Sequence, residues 1–576
     1  MREKEHDVDV CVVGGGLAGL CAAVAAARRG ARVALMHDRP VLGGNASSEI
    51  RMWVCGARGA NHRETGIIEE IQLENLYRNP AGNWSIWDTI LYEKVRYEPN
   101  ITLLLNCSCN QLQMDGRRIR SVTGWQLTTE TRHTVRAKVF ADCSGDSILA
   151  PLSGAEFRLG RESRDEFGED IAPAQADKKT MGMSCLLQTR EMSTPQPFVP
   201  PAWANVYRTD DDLPYRDHDV SQWQTNFWWI ELGGESDAIH DTEELRDELL
   251  KIAMGVWDHI KNRGDHGADN WTLEWIGFLP GKRESRRCVG DHILTQNDVR
   301  DEGRFDDIVA YGGWPMDDHH PAGIRYPEEP TIFHPAPSPF GIPYRCLYSR
   351  NIENLFFAGR NISTTHTTLS STRVMATCAT LGQAVGTAAA IGVTNDLSPR
   401  EVGQERIRDV QQMLLEDDCF LPGVQRDVSP LSKNAELIAS AGDTDPLRDG
   451  WDRPISDAYN GWRADAGNWV EYRFASPQRM QNIRLVLDSD LNRRGVNCPC
   501  SYPLHVEPRR LPARLVKAFR LDARQPDGSW TLFHHEECNR RRLVRLPLEI
   551  TASAIRLTIE ETWGGEPAGL FSLEVR

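Results

Sequence analysis

No two of the fourteen cysteines stand in C-x-x-C spacing, and the closest pairs, Cys107/Cys109 and Cys498/Cys500, have a single residue between them. That removes the redox-active dithiol of disulfide reductases and the usual iron–sulfur or zinc-ribbon frameworks. The cysteines are expected to pack as small apolar residues in a reducing compartment. Nowhere does an uninterrupted apolar run reach the roughly 18 residues of a membrane span. The amino terminus, Met1-Arg2-Glu3-Lys4-Glu5-His6-Asp7, is charged and has no apolar leader ahead of the first strand, so a cytoplasmic protein without a membrane partner is expected. Positive charge is also short. A net charge of −16 argues against a phosphate-backbone partner, so no nucleic acid is expected. Arginines do gather between Arg509 and Arg545, most densely at Arg540-Arg541-Arg542, but they alternate with apolar residues and predict a solvated sheet face. There is no internal repeat or low-complexity tract.

At 576 residues the chain exceeds what one hydrophobic core supports, and two or three domains are expected. The most informative stretch lies between Val8 and Asn45. The apolar run Val8–Val13 predicts a buried strand, Gly14-Gly15-Gly16-Leu17-Ala18-Gly19 follows at once, and an Ala-rich helix runs from Leu20 to Arg29 with Gly30 as its stop. A second strand, Ala31 to Met36, completes a βαβ unit. In such a unit Gly14 permits the tight turn, Gly16 lets backbone approach a pyrophosphate, and Gly19 lets helix pack closely on strand. The helix N-terminus then faces the phosphate charge. A second glycine turn, Asp38-Arg39-Pro40-Val41-Leu42-Gly43-Gly44-Asn45, follows that strand. This pairing resembles FAD enzymes of the glutathione reductase and fumarate reductase clans. The resemblance implies that Gly43, Gly44 and Asn45 pack near the pyrophosphate and flavin. Where the family places a ribose-binding Glu this chain has His37, with Asp38 beside it, and either residue suits that contact.

Two later segments return to the same fold. Val135–Ala141 predicts a strand ending in Asp142-Cys143-Ser144-Gly145-Asp146, which resembles the Ala-Thr-Gly-Asp-Gly turn of FAD oxidoreductases. Asn354–Ala358 predicts another, ending in Gly359-Arg360-Asn361, and a long small-residue helix begins near Ser371. Its Gly382-Gln383 segment keeps side chains small, for packing on the sheet and cofactor. These motifs, with Gly281-Lys282-Arg283-Glu284-Ser285-Arg286-Arg287, resemble the FAD-dependent oxidoreductase family over roughly residues 5 to 395. The resemblance implies an α/β, Rossmann-like FAD-binding domain from 1–155 and 286–395, with an inserted α+β substrate domain at 156–285. The insert carries Trp203, Trp223, Trp228, Trp229, Trp271 and Trp275, and a helix is predicted from Thr242 to Asn262. Indole faces stack on sugar C–H surfaces, and they also fill cores. A charged helical linker covers 396–433. From 434 to 576, short alternating strands such as Trp469–Phe474, Ile483–Asp488 and Leu515–Leu521 predict an antiparallel β-sandwich. It resembles galactose-binding or discoidin-like jelly rolls, modules that recognise sugars or serve as appendages and dimer surfaces, so a homo-oligomer is compatible.

Three groups are candidates to line the flavin ring. The closely spaced guanidiniums of Arg283 and Arg286 suit an anionic substrate or developing charge, although Glu284 offers an internal partner. His319 and His320, preceded by Asp317-Asp318, suit a carboxylate-oriented base. Adjacent histidines chelate one ion poorly and no distant ligand set stands out, so no metal site is expected. The third group, Arg360, His366 and Arg373, follows the second returning strand, and His366 is the preferred base. Ser47 and Arg51, after the second glycine turn, are further candidates to reach the cofactor. There is no second glycine fingerprint for a nicotinamide, so a small-molecule substrate meets the flavin directly and the electron acceptor is unidentified. The leading expectation is hydride abstraction from a hydroxyl-bearing carbon of a sugar or polyol. The alternatives are a flavin-dependent reductase of an unsaturated carboxylic acid, and a glycan-binding protein whose flavin fold is vestigial.

Overall fold

A computed structural model of the chain describes residues 2–455, 458–525 and 527–576. Its central feature follows from four short apolar runs that are buried end to end: Val10–Val13, Val33–Met36, Val139–Asp142 and Leu355–Phe357. Strands buried on both faces have no polar side to alternate with, which is why they read as continuous apolar runs. With Ile101–Leu104 they form a five-stranded parallel sheet, ordered Leu355–Phe357, Val139–Asp142, Val10–Val13, Val33–Met36, Ile101–Leu104. The helix between the first two strands in sequence, Leu17–Arg28, is buried along nearly its whole length.

The long helix Met375–Asn395 packs on Leu17–Arg28. A Cβ at Gly382 would lie 2.0 Å from the Ala18 carbonyl oxygen, and one at Gly386 would lie 2.1 Å from that of Ala22. The absence of side chains there allows the two backbones to touch. This helix is long and apolar enough to cross a membrane by composition, but it is almost wholly buried among its neighbours. It starts at Met375 because a separate short helix, His366–Thr372, occupies the residues before it.

The charged segment expected merely to precede the first strand is itself a strand. Arg2–Asp7 runs parallel to Thr131–Arg136 at the edge of a four-stranded sheet completed by Arg118–Gln126 and Cys107–Asp115. Glu5 accepts two hydrogen bonds from Arg136, at 2.7 and 2.8 Å, across that edge. All cysteines except Cys55 and Cys538 are buried.

Two compact units emerge. The first comprises Met1–Arg58, Ala81–Val410 and Gly495–Pro508, and the second Gly59–Pro80, Gln411–Arg494 and Arg509–Arg576. Both exchanged segments depart from the sequence-based boundaries for a visible reason. Ser501–Tyr502 pairs in parallel with Thr189–Arg190, which ties 495–508 to the first unit. The helix Ile67–Arg78 places Leu73 in the core of the second unit, where Glu69 is bound by Arg493.

Within the first unit, residues 156–285 form small sheets around a core of Met183, Leu187, Phe227, Trp229, Trp257 and Trp271. The predicted helix there runs Thr242–Asp258 and ends in a π-turn, His259–Arg263. The second unit is built on a seven-stranded antiparallel sheet, in which the long strands Trp469–Leu487 and Leu543–Thr562 pair along most of their length. Arg520, Arg524 and Arg545 lie exposed on strands as expected, but the densest part of the arginine run does not. Arg540–Arg542 precede the strand, and Arg542 is buried against Asp418, with Nε–Oδ2 at 2.9 Å.

Candidate functional site

The glycine turn forms a cradle because side chains have no room at Gly14, Gly15 or Gly19. Gly14 adopts φ 103°, and a Cβ there would stand 2.3 Å from the Cys143 carbonyl oxygen. Gly16 bridges to Gly43, and a Cβ on Gly44 would come within 3.1 Å of the Gly16 Cα. The two glycine turns thus form one wall. The helix Leu17–Arg28 opens onto it with no side-chain cap and no acid in its first turn, an end suited to a phosphate. Around it lies a cavity of about 390 Å³, lined by Gly14 to Ala18, His37 to Arg39, Gly43 to Asn45, Ser144 to Asp146, Gly359, Arg360 and Arg373.

His37 and Asp38 have different duties. The His37 ring is buried; its Nδ1 accepts the Gly15 N–H at 2.9 Å and its Nε2 donates to the Val41 carbonyl at 3.0 Å. Burial pushes its pKa down to about 4, so the ring is neutral and braces the turn. Asp38 is the exposed acid of the pair and lines the cavity. Arg39 and Glu49 face each other at 3.6 Å on the same wall. Arg39 Nη1 and Glu49 Oε2 are buried with no hydrogen-bond partner among the described residues.

The Ser144-Gly145-Asp146 turn is organised from below. Asp142 accepts from the Ser144 amide and hydroxyl at 3.0 and 2.7 Å, and from the Leu149 amide at 2.7 Å. Asp146 then receives Lys282 Nζ at 2.8 Å, the Ser285 hydroxyl at 2.7 Å and Arg360 Nη2. Burial works to raise the Asp146 pKa, but Arg360 and Lys282 hold it well below the usual carboxylate range. This node brings the end of the insert and the second returning strand to the rim of the cavity.

Asn45, Ile50, Lys282, Arg360, Arg373 and Met375 also line a second cavity, of about 250 Å³, so the two spaces share a wall. The second cavity holds His319, Arg283 and Asp317, with Trp53, Trp228, Trp314 and Phe333 as aromatic walls. His319 Nδ1 donates to the buried Glu231 carboxylate at 2.7 Å, while Nε2 lies 3.4 Å from Asp317. Arg283 donates to the Ser184 hydroxyl at 2.8 Å and the Trp228 carbonyl at 2.9 Å, and lies 3.3 Å from Glu231. Arg373 holds Asp317 at 3.0 Å, and its Nε is buried without a hydrogen-bond partner among the described residues.

Several expected site residues lie elsewhere. His366 lines neither cavity: its Nδ1 donates to Glu284 at 2.8 Å and its Nε2 to Asp318 at 3.2 Å. Burial would depress its pKa, but the two carboxylates outweigh that and raise it to about 10. A ring that already carries its proton is a poor base at neutral pH, which corrects the preference for His366. His320 stacks on Tyr326 at 3.6 Å, also outside both cavities. Arg286 donates to the Asp146 carbonyl at 3.2 Å and lies over Phe157. Arg51 is turned away, its guanidinium 4.5 Å from the Trp275 ring and hydrogen-bonded to Gln188. Ser47 is buried beneath the turn. Gly19 and Gly382 act by permitting close backbone packing, and Gln383 is buried in the same helix without lining either cavity.

Of the seven tryptophans between 156 and 285, Trp228 alone lines the second cavity. Trp229 and Trp271 are core. Lys282 and Trp314 were visible only as members of motifs, and Met52, Trp53 and Cys55 carried no periodic signal because they lie in an extended segment without regular structure.

A family model described as FAD dependent oxidoreductase matches residues 9–414. No curated protein matches the chain. Among solved structures, the family 32 carbohydrate-binding module of Streptococcus pneumoniae EndoD is 16% identical; the match covers 25% of this chain and 95% of that one, with a TM-score of 0.20. Chitosan-binding module 1 of a Paenibacillus sp. IK-5 chitosanase/glucanase is 15% identical over 25% of this chain and 97% of its own, with a TM-score of 0.19. A Streptococcus pneumoniae fucose binding module is 13% identical over 26% and 98%, with a TM-score of 0.20.

Proposed function

Because the chain belongs to the FAD-dependent oxidoreductase family, we propose that it oxidises a hydroxyl-bearing carbon of a sugar or polyol seated in the second cavity, with His319 as the base. The residues present fit the cofactor. The glycine wall and uncapped helix end suit the pyrophosphate, Asp38 suits the ribose, and the buried Arg373 Nε, without a hydrogen-bond partner among the described residues, suits a polar atom of the bound group. When bound, FAD supplies a two-electron acceptor for hydride. The parallel sheet with its glycine-turn helix supports a Rossmann-like cofactor domain, and the antiparallel second unit supports a galactose-binding-like sandwich.

One observation carries the substrate reading: His319, oriented by a buried Glu231, stands in an aromatic-walled cavity that shares Arg360, Arg373 and Met375 with the cofactor groove. Glu231 holds the Nδ1 proton, and Nε2, 3.4 Å from Asp317 Oδ2, takes the proton of a substrate hydroxyl and is then steadied as imidazolium between the two carboxylates. Arg283 and Arg373 steady negative charge building on that oxygen. Trp228 and Trp314 offer faces for C–H surfaces and narrow the space left for water. The cations already have internal partners in Glu231, Asp317 and Asp146, so the cavity is not an open anion clamp. This favours a neutral hydroxylated substrate over an unsaturated acid.

The test is anaerobic reduction of the yellow holoprotein by a panel of sugars and polyols. The expected result is bleaching by at least one of them, slowed about 10²–10⁴-fold in His319→Gln with FAD still bound. Reoxidation of the dithionite-reduced protein by enoates, with no bleaching by the panel, would establish the reductase instead. A colourless protein that takes up no FAD would refute both.

A further inference from the structure

We propose that Asp210, His218, His259 and His266 form a tetrahedral Zn²⁺ site that fastens the irregular part of the insert to its long helix. Their four ligand atoms lie within 4.8 Å of one another. His259 Nε2 is 3.0 Å from Asp210 Oδ1, His266 Nε2 is 3.2 Å from His259 Nε2, and His266 Nε2 is 3.5 Å from Asp210 Oδ1. A tetrahedral zinc with bonds of about 2.0–2.1 Å has ligand–ligand edges of about 3.3–3.4 Å, so these three edges already match it. The rings meet at centroid distances of 4.8 to 5.0 Å, edge-on or tilted rather than stacked, as rings converging on one point do.

Two further observations point to a ligand. His218 Nε2 is buried and has no hydrogen-bond partner among the described residues, although an imidazole nitrogen in that position costs free energy unless something meets it. His259 Nδ1 donates to the Tyr207 carbonyl at 3.2 Å, which fixes the tautomer whose Nε2 lone pair faces the cluster. Three imidazoles and one carboxylate suit zinc, and four protein ligands close the coordination sphere, as structural sites do.

The placement gives the site a purpose. Between Glu191 and Glu231 the only regular element among the described residues is the three-residue turn Asp210–Asp212. So long an irregular stretch inside a compact unit needs a tie. Asp210 and His218 come from that stretch, His259 from the π-turn ending the helix, and His266 from the loop beyond it. His218 lies edge-on to Trp229, whose neighbour Trp228 walls the second cavity and accepts Arg283 on its carbonyl. None of the four ligands lines either cavity, so the ion would position and not react. In sequence the four are spread over 57 positions without motif spacing, and only the fold assembles them.

The experiment uses the full chain without a histidine tag. Metal analysis of the purified protein should find one zinc per chain. After chelator treatment, Co²⁺ should bind one equivalent with sub-micromolar affinity and give the intense visible bands of tetrahedral cobalt. X-ray absorption of the zinc form should show three imidazole nitrogens and one oxygen, without sulfur. His218→Ala/His266→Ala should lose that equivalent, and the milder Asp210→Asn should weaken binding at least tenfold. The proposal is overturned by pale octahedral cobalt spectra, by substoichiometric weak binding in the wild-type protein, by sulfur ligation, or by undiminished binding in the double variant. The wild-type spectra decide the matter even where the variant fails to fold.

Discussion

The buried His366 should make this protein's stability depend on pH in the alkaline direction. In an unfolded chain its imidazole titrates near 6.5, whereas in the folded protein Glu284 and Asp318 raise that to about 10 against the opposing effect of burial. The surrounding groups reinforce the arrangement: Arg287 lies 3.4 Å from Glu284, and Glu162 accepts the His366 backbone N–H at 2.9 Å. A folded-state pKa above the unfolded one contributes stability that is fully present below about pH 6.5 and lost as pH rises through about 10. A midpoint moved that far is worth roughly 5 kcal/mol if the triad stays rigid, and on the order of 2–4 kcal/mol once the carboxylates relax. A two-unit chain need not unfold in one step, so the cleaner assay is direct titration. Selectively ¹³C-labelled histidine, with His366→Gln to assign the signal, should show one imidazole still protonated at pH 8.5. Denaturant midpoints at pH 6.5 and 9.5 should then differ more in wild type than in His366→Gln. A His366 signal titrating near 6.5, or equal slopes in the two proteins, would refute the reasoning.

Gly382→Val should drive a side chain into the Ala18 carbonyl, separate the two packed helices and destabilise the cofactor unit by about 1–3 kcal/mol or more, read as a lower melting temperature and weaker FAD retention. In the second unit, Asp418→Ala should strand the buried Arg542 guanidinium at a cost of about 3–5 kcal/mol. The compensated pair Asp418→Leu/Arg542→Met should recover most of that loss in thermal denaturation, and failure to do so would locate the cost in packing and not in unpaired charge.

Much of the cofactor half was legible in the chain. Short apolar strands, glycine turns and small-residue helices are local signals, and Gly14, Gly19 and Gly382 lie where backbone approaches too closely for a side chain, as that logic placed them. Partners of charged side chains were not legible. Both His366 and His319 follow acidic or polar runs that suit a base. Both stand between carboxylates, His366 between Glu284 and Asp318 and His319 between Glu231 and Asp317, and the difference is that His319 also lines a cavity while His366 does not. The arginine run misled for the same reason, because Asp418 lies 124 positions before Arg542. Spacing also gave no hint that Ser501–Tyr502 would pair with Thr189–Arg190.

By itself, then, the sequence determined which backbone segments come close and what kind of cofactor their geometry admits, because steric exclusion and apolar periodicity act over a few residues. Only the tertiary structure decided which histidine lines a cavity, which tryptophans wall it and which four side chains, Asp210, His218, His259 and His266, converge. Those outcomes depend on burial and on the charges that long-range folding sets beside each group.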